Sequence, residues 1–352
     1  MPNTISRRAV LAGMACGAAS TVIGRPALAA APAQLTSFRS TSKSWLWAPE
    51  DYGIAKGFFK VQNLEVTVVA TEKAPNIDAL LSRAADIVLT PPDQAMRVQM
   101  QGQPLKLIAG MVNKYASNII VRASLMKERG VTLLSPVAER VAALKGLKLA
   151  TTGAGGAPDS LFRFLLCEHG LDPEKDVQLV PVRGGGAAML AAFKQGAVDG
   201  FGLSSPTSDL AVAKFEGAYL FDMATAPPPF FEDFLYIAVA TSDRLIKERP
   251  ADLVAYYRGL NQSLISISQD PASFEQWARE FFPDLEATLF ARAFANNSKI
   301  YMNNPRITED QFLRNIEFMH KQTLAKRDPR IPDGFAFMNV VDPQIADASD
   351  KK

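Results

Sequence analysis

The first candidate for binding chemistry is a glycine-rich turn between a predicted strand and a predicted helix. Residues 153–156 read Gly-Ala-Gly-Gly and follow the apolar stretch 147–151. Glycine lets a ligand approach the backbone closely, and the free N–H groups at the start of a helix attract an anion. The turn therefore predicts an anion-binding backbone, although a plain tight turn would have the same composition. Its candidate contacts are Thr152, Gly155 and Gly156.

A second glycine run begins with a cation. Arg183 and Gly184 open the sequence Arg-Gly-Gly-Gly directly after another predicted strand. A guanidinium in this position can bind a carboxylate, a sulfonate or a phosphate through two parallel hydrogen bonds, whereas an arginine of a solvated loop binds nothing. Ser204 and Ser205 end the next predicted strand. A serine there either donates to a ligand or caps the helix that follows.

The N-terminal half adds polar and aromatic candidates at the ends of its own predicted strands. Tryptophan can form a wall for an apolar or aromatic ligand body, although core packing is an equally good reason for its presence. Hydroxyl, amide and ammonium groups beside it would then orient the ligand. The candidates are Lys43, Ser44, Trp45 and Trp47 after the first strand, Thr90 and Pro91 after the third, and Asn118 on a later crossover.

The first 29 residues are typical of an export signal. Residues 6–11, Ser-Arg-Arg-Ala-Val-Leu, resemble the twin-arginine motif, and an apolar run continues to residue 23. Residues 27–29, Ala-Leu-Ala, form a small-x-small cleavage site. We predict cleavage after Ala29 and a periplasmic location, with the twin-arginine route favoured over the general secretory route.

Charge and composition argue against several classes of partner. Residues 1–29 contain three arginines and no acid, so their removal changes the formal net charge from +2 to about −1. A nearly neutral chain has no electrostatic reason to bind nucleic acid or an anionic membrane. Hydrophobic residues make up 48% and charged residues 21%, an ordinary soluble mixture, and no later stretch has the roughly 20 apolar residues of a membrane helix.

The sequence contains few residues of the kinds that bind metals or carry out catalysis. Cys16 lies in the predicted signal, which leaves Cys167 beside two histidines, His169 and His320. These are too few for a cysteine–histidine zinc site, and no EF-hand loop is present. The sequence also lacks a G-x-S-x-G turn and a credible Ser/His/Asp set. We therefore expect no metal, no cofactor and no catalytic residue.

The rest of the sequence alternates predicted strands with predicted helices in two blocks. Such alternation predicts α/β lobes with parallel sheets, and ligands bind such sheets at the carboxyl ends of the strands. The first block has strands at 35–41, 64–69, 86–90, 105–111 and 118–122, with helices at 49–59 and 76–83. The second has helices at 135–144, 160–169, 187–195 and 206–215, and strands at 147–151, 177–182, 198–203 and 218–221.

Two extended crossovers, near 113–122 and 224–240, would join the blocks as a hinge. A strand at 234–241 returns the chain to the first block, and residues 243–325 are mostly helical. We predict lobe one from residues 30–117 and 236–340, with the C-terminal helices packed on it, and lobe two from residues 118–235. Residues 341–352 are polar and predicted to be a loose tail.

The order of several short motifs resembles the family of nitrate, sulfonate and taurine solute-binding proteins. Residues 48–59 resemble its helix followed by Gly-Phe-Phe, and residues 79–88 its Ala-Leu…Asp segment, without the usual glycine. Residues 144–150, Leu-Lys-Gly-Leu-Lys-Leu-Ala, resemble its entry to the second lobe, and 191–200 its Gly-x-Val-Asp segment. The resemblance spans residues 35–270. It implies a two-lobed periplasmic-binding-protein-like fold of type II, shared with the thiamine-pyrimidine synthase-like proteins.

This resemblance implies a solute-binding protein that delivers a ligand to an ABC permease and works as a monomer. The family often has a serine-rich turn for the ligand head group where this chain has Gly155 and Gly156. We expect a small organic anion, such as a sulfonate or an aromatic carboxylate, bound by hinge closure. A neutral heterocycle such as a pyrimidine, and a ligand-presenting sensor subunit, are alternatives. A pyrimidine-synthase-like enzyme is disfavoured, because that chemistry needs cysteine and histidine residues.

Overall fold

Two five-stranded sheets organise the chain in the computed structural model, which describes residues 31–71 and 76–351. The predicted signal peptide lies outside the described residues. None of the described helices has the length and apolarity needed to cross a bilayer. The strands are β1 (Ala33–Arg39), β2 (Leu64–Ala70), β3 (Ile87–Thr90), β4 (Leu105–Val112), β5 (Asn118–Arg122), β6 (Lys148–Thr151), β7 (Gln178–Pro181), β8 (Gly200–Leu203), β9 (Gly217–Phe221) and β10 (Ile237–Ser242).

Helices connect the strands and continue after the last strand. The helices of the first block are α1 (Ala48–Ala55), α2 (Phe58–Val61), α3 (Asn76–Leu81) and α4 (Pro92–Gln99). Those of the second are α5 (Ala123–Glu128), α6 (Val137–Ala142), α7 (Ala157–Glu168), α8 (Gly185–Lys194) and α9 (Thr207–Lys214). The C-terminal helices are α10 (Asp243–Glu248), α11 (Pro250–Gln269), α12 (Pro271–Phe281), α13 (Ala287–Asn297), α14 (Glu309–His320), α15 (Phe337–Val340) and α16 (Gln344–Asp350).

Each sheet contains one antiparallel strand that comes from a crossover. The first sheet has the order β2-β1-β3-β10-β4, and β10 runs antiparallel to both of its neighbours. The second has the order β7-β6-β8-β5-β9, and β5 runs antiparallel to both of its neighbours. The parallel pairing expected for the first block is present between β1, β2 and β3. The sheet as a whole is mixed because β10 enters it from the other side.

We call the part built on the first sheet lobe one and the part built on the second sheet lobe two. The chain passes from β4 to β5 and returns from β9 to β10. An aromatic cluster ties these two crossovers together: Tyr115 of the first contacts Phe231 and Phe234 of the second at ring-centroid distances of 5.1 and 5.5 Å. Phe318 of α14 packs on Tyr115 at 5.5 Å. The two crossovers are therefore packed together where the chain passes between the lobes.

Several helix boundaries differ from the sequence predictions for local reasons. The helix predicted at 49–59 is divided into α1 and α2, because Gly57 adopts a φ of 75° between them. Helix α7 begins at Ala157, three residues before the predicted start, with Pro158 in its first turn where a missing N–H costs nothing. Helix α5 had not been predicted.

The C-terminal residues correct the prediction of a loose tail after residue 341. Ile345 and Ala346 of α16 are 2% and 3% exposed. Arg306 forms ion pairs of 2.8 Å with both Asp347 and Asp350, so the end of the chain is packed and charge-paired. The C-terminal helices also contact lobe two as well as lobe one, since α13 lies against α9 and α14 lies against α7.

Gly259 allows α11 to pack closely on Phe59. A Cβ atom at Gly259 would lie 2.4 Å from Phe59 Cδ1 and within 3.0 Å of two other ring atoms. Phe59 is 2% exposed and stacks on Tyr256, so its ring has no free space to enter. We predict that Gly259→Ala lowers the free energy of unfolding by about 1–3 kcal/mol, although alanine favours a helix.

Urea unfolding of the two proteins measures this effect. Gln262→Ala on the same helix is the control, because Gln262 is exposed and its truncation should change stability by less than about 0.5 kcal/mol. A Gly259→Ala protein as stable as the parent would show that the α11 packing tolerates a side chain.

Candidate functional site

A cleft of about 670 Å³ lies between the two lobes. Lobe one lines it with residues that follow β1 and β3, and lobe two with residues that follow β6, β7 and β8. Both crossovers contribute to it, through Ser117 and through Tyr236 and Ile237. The volume is in the range of small-molecule sites, and the position at the carboxyl ends of parallel strands is the usual one for a ligand in this kind of sheet.

Eleven of the fourteen predicted site residues line this cleft. They come from five loops that are far apart in sequence, so the fold brings together what the sequence only suggested. These residues are Lys43, Ser44, Trp47, Pro91, Thr152, Gly155, Gly156, Arg183, Gly184, Ser204 and Ser205. The other three, Trp45, Thr90 and Asn118, lie outside the lining.

Trp45 is a core residue and does not form a wall of the cleft. Its side chain is fully buried, and its ring packs at centroid distances of 4.5 Å from Phe282 and 6.0 Å from Phe294. These partners belong to the C-terminal helical region. Trp47, two residues later, does line the cleft, and its indole N–H donates to Thr41 Oγ1 at 2.8 Å.

Thr90 and Asn118 are buried and do not line the cleft. Thr90 is fully buried and donates to Gln94 Oε1 at 3.4 Å. Asn118 is 3% exposed, donates to Ser208 Oγ at 3.1 Å and accepts the N–H of Met223 at 2.8 Å. Both side chains have their hydrogen-bonding partners within the protein, which removes them from the list of direct ligand contacts.

The glycine-rich turn before α7 is tied to its own helix. Gly155 adopts a φ of 74°, and its N–H donates to Asp159 Oδ2 at 2.9 Å. Asp159 also accepts from Arg163 Nε at 3.0 Å. A Cβ at Gly156 would lie 2.3 Å from Thr152 Oγ1, so a side chain there would require Thr152 or the turn to move. Because the Asp159 carboxylate already occupies the positive end of the helix, this turn has less capacity for an external anion than the sequence suggested.

Helix α8 is the cleft helix whose first turn carries no acid. Helices α4, α7 and α9 also begin at the cleft, but their first turns carry Asp93, Asp159 and Asp209, each at most 4% exposed. Helix α8 begins instead with Gly185 and Gly186, and Gly184 is its N-cap. Arg183, which precedes Gly184, is exposed and forms no hydrogen bond or ion pair with the described residues. This end of the cleft is therefore the best place for a ligand anion.

The described side chains that line the cleft have an excess of positive charge. Lys43, Arg97 and Arg183 contribute cations, and Asp78 contributes an acid. Lys43 lies 5.3 Å above the Phe281 ring. The other described lining residues are uncharged. The site therefore favours an anion with an apolar body over a cation.

Sequence reasoning missed several polar lining residues that belong to the central part of the cleft. Gln94 and Arg97 follow Pro91 on α4, and their three-residue spacing places them on one face of that helix. That spacing was a usable signal. Nothing in the sequence distinguishes Ser117 and Tyr236 from other crossover residues, because their position depends on how the two sheets meet.

Hydrogen bonds across the cleft join the two lobes. Ser160 Oγ of α7 donates to Asp93 Oδ2 of α4 at 3.1 Å, and burial raises the pKa of Asp93 above its ordinary value. Tyr115 Oη donates to the carbonyl of Ala157 at 2.5 Å. At the loops after β1 and β8, Ser44 Oγ donates to the carbonyl of Ser205 at 3.4 Å. The two lobes are thus in direct contact beside the cleft.

A buried charge cluster holds the loop after β1, which carries Lys43, Ser44 and Trp47. Arg39 is 3% exposed, pairs with Asp51 at 2.8 Å and with Glu50 at 3.5 Å, and donates to the carbonyl of Ser42 at 2.8 Å. Glu50 also accepts from Tyr256 Oη at 2.7 Å. Burial raises the pKa of Asp51 to about 6, because it outweighs the opposing effect of Arg39.

Comparison with known proteins identifies the family. Residues 49–275 match the family model described as the NMT1-like family, which is well over half of the chain, so the chain belongs to that family. No curated protein matches this sequence.

Solved structures with the same architecture include a protein of Bordetella bronchiseptica RB50, with a TM-score of 0.72 and 17% identity over 90% of this chain and 96% of that one. The alkanesulfonate-binding protein SsuA from Xanthomonas axonopodis pv. citri, bound to MOPS, has a TM-score of 0.65 and 17% identity over 86% and 96% of the two chains. The nitrate-binding protein NrtA from Synechocystis PCC 6803 has a TM-score of 0.66 and 16% identity over 90% and 88%. These similarities confirm the predicted two-lobed α/β fold.

The raised pKa of Asp51 predicts a pH dependence of stability. The folded chain binds this proton more tightly than the unfolded chain, whose Asp51 titrates near the ordinary value of 3.8. The contribution of Asp51 to stability is therefore complete below about pH 4 and is lost as the pH rises through about 6. The parent loses this contribution as the pH rises, whereas Asp51→Asn has no carboxyl to titrate. We predict that the free energy of unfolding of Asp51→Asn, relative to that of the parent, increases by about 2 kcal/mol from pH 4 to pH 7.

Urea unfolding at several pH values measures this difference. Glu128→Gln, which changes an exposed acid, is the control and should give a difference that hardly varies with pH. A constant difference between Asp51→Asn and the parent over the same range would contradict the predicted pKa.

Proposed function

We propose that this member of the NMT1-like family is an extracytoplasmic solute-binding protein that captures a small organic anion for an ABC importer. The observation that carries the proposal is the cleft, which both lobes line and close upon and whose charged side chains are mostly cationic. The names of the structural neighbours support it, since one is an alkanesulfonate-binding protein and another a nitrate-binding protein. The cations and the apolar residues of the lining support a sulfonate or an aromatic carboxylate as the ligand.

The apolar part of the ligand would lie against the lining of both lobes. Trp47, Leu46 and Ile77 line the cleft from lobe one, and Leu203 and Pro158 line it from lobe two. A volume of about 670 Å³ exceeds the needs of an inorganic ion and suits an organic molecule with a ring or chain. Burial of that body would supply most of the affinity, at about 25 cal/mol per Å² of apolar surface.

The acidic group of the ligand would bind at the start of α8. Arg183 can form two parallel hydrogen bonds to a carboxylate or sulfonate, and the glycine N–H groups of the first turn add donors and the positive end of the helix. Lys43 of lobe one adds a second cation to the lining. An anion between Lys43 and Arg183 would attract both lobes, which favours the closed state.

Closure is the event that an importer would recognise. The bonds from Ser44 to Ser205 and from Ser160 to Asp93 join lobe one to lobe two, and we expect them to break when the lobes separate. A ligand that binds both lobes shifts the equilibrium toward this state in proportion to its differential affinity. The permease would therefore receive mainly loaded protein. A sensor subunit that presents ligand to a receptor would use the same closed surface.

A neutral heterocycle is the second candidate ligand. Trp47 and Tyr236 bring aromatic surface to the cleft, and Asp159 already occupies the start of α7, where an anion was first expected. Loss of Arg183 distinguishes the two, because an anion depends on this cation and a neutral ring does not. Neither ligand requires catalysis, so we propose a binding protein without enzymatic activity. We further propose that it works as a monomer in the periplasm.

The role of Arg183 can be tested after a thermal-shift screen of the protein from Ala30 onward. The panel contains sulfonates, aromatic carboxylates, nitrate, pyrimidines and amino acids, and a ligand at 100 times its Kd should stabilise the fold by about 2.7 kcal/mol. We predict hits among the organic anions and a Kd that rises about 10- to 100-fold in Arg183→Ala, as expected for a lost hydrogen bond to a charged group.

The control is Arg129→Ala, which removes another exposed arginine of lobe two that is not part of the cleft lining. Its Kd should equal that of the parent in calorimetry. Hits among the pyrimidines with no effect of Arg183→Ala would replace the anion by a neutral heterocycle. A panel without any hit would overturn the proposed ligand classes.

Export is tested separately with the full chain. We predict that Arg7→Lys with Arg8→Lys leaves the uncleaved chain in the cytoplasm, since the twin-arginine pathway depends on this pair. Arg25→Lys, which lies near the cleavage site, should be exported normally. Normal export of the double variant would assign the signal to the general secretory route.

A further inference from the structure

Tyr236 places a hydroxyl group on the lining of the cleft. It is the last residue of the second crossover, and its N–H donates to the carbonyl of Val112 at 2.8 Å. Its ring is 3% exposed and packs on Tyr115 of the first crossover at a centroid distance of 4.4 Å. The side chain is therefore fixed by the hinge while it lines the cleft. A fixed polar group in a ligand site is a determinant of specificity.

The Tyr236 hydroxyl lies beside the hydroxyl of Ser117, which also lines the cleft. The Ser117 oxygen is buried and makes no hydrogen bond of ordinary geometry with the described residues. Burial raises the pKa of Tyr236 above its ordinary value, with the Asp93 carboxyl adding to this effect and the Ser117 hydroxyl opposing it, so the phenol keeps its proton. The two hydroxyl groups can therefore donate to an acceptor oxygen supplied by a ligand.

Two side chains of α4 add donors to the same cleft. Gln94 accepts from Thr90 through Oε1, which leaves its Nε2 hydrogens for another partner. Arg97 is oriented by Gln322, which accepts at 2.7 Å, and by Asp328 at 3.6 Å, yet it still lines the cleft. Tyr236, Gln94 and Arg97 can thus all donate hydrogen bonds to a ligand. They are suited to an acceptor oxygen on the ligand.

We infer that the ligand is an organic acid with two polar ends: an anionic group at Arg183 and an uncharged acceptor oxygen, such as a carbonyl, that binds Tyr236. This inference rests on the proposed function and narrows its substrate class. Arg183 is exposed and Tyr236 is buried, so the ligand lies with its charged end toward solvent and its neutral end toward the hinge.

Matched pairs of compounds test the second polar end. The probes are 4-acetylbenzoate with 4-isopropylbenzoate, and 4-acetylbenzenesulfonate with 4-isopropylbenzenesulfonate; within each pair a carbonyl oxygen replaces a methyl group. We expect the acetyl compound to bind at least 10-fold more tightly to the parent protein in calorimetry. Tyr236→Phe should reduce this ratio to less than 3-fold and leave the Kd of the isopropyl compound nearly unchanged.

Tyr257→Phe is the matched control, because Tyr257 is a buried tyrosine of α11 that does not line the cleft. It should preserve the ratio, and thermal unfolding of both variants shows that they are folded. Equal binding of acetyl and isopropyl compounds by the parent, or a ratio that survives Tyr236→Phe, would overturn the inference while the anion proposal stands. No binding of any of the four acids would overturn both.

Discussion

The double passage of the chain between two sheets is the constraint on which the rest of the structure depends. Strand β5 enters the second sheet from the first, and β10 returns to the first from the second, each antiparallel to its neighbours. Because of this exchange, loops from both sheets meet in one cleft, and the crossovers themselves become part of its lining. The aromatic cluster around Tyr115 then joins the two crossovers into a single hinge. A ligand that reaches Tyr236 would contact the hinge directly.

The charge distribution of the cleft depends on which of its helices carry a carboxylate in their first turn. Asp93, Asp159 and Asp209 are buried at the first turns of three helices, where they accept from Ser160, from Gly155 and from Ser205 and Tyr219. A carboxylate in such a position is stabilised by the helix and removes an external anion site at the same time. Helix α8 is left with glycines and with Arg183. Our proposal therefore places the anionic group of the ligand at this end of the cleft.

The strand ends and glycine turns of the site could be predicted from local sequence, because apolar stretches and glycine positions are local signals. Lys43, Trp47, Arg183 and Ser204 follow predicted strands and do line the cleft. Trp45 was predicted wrongly because an exposed wall and a buried core position have the same local pattern. Its partners Phe282 and Phe294 lie more than 230 residues away in the chain, and no local signal connects them.

By itself, the sequence determined the α/β class, the order of the motifs that mark the family and the positions of most loops that bear the site. These depend on periodicity and on the backbone freedom of glycine, which act over a few residues. The tertiary structure decided which polar groups are already hydrogen-bonded within the protein, as at Asn118 and Gly155, and which side chains line the cleft, as Arg183 and Tyr236 do. It also decided that the last helix is packed, through the pairing of Arg306 with Asp347 and Asp350. Hydrogen bonds and burial between distant segments are non-local, so they exist only once the two sheets have come together.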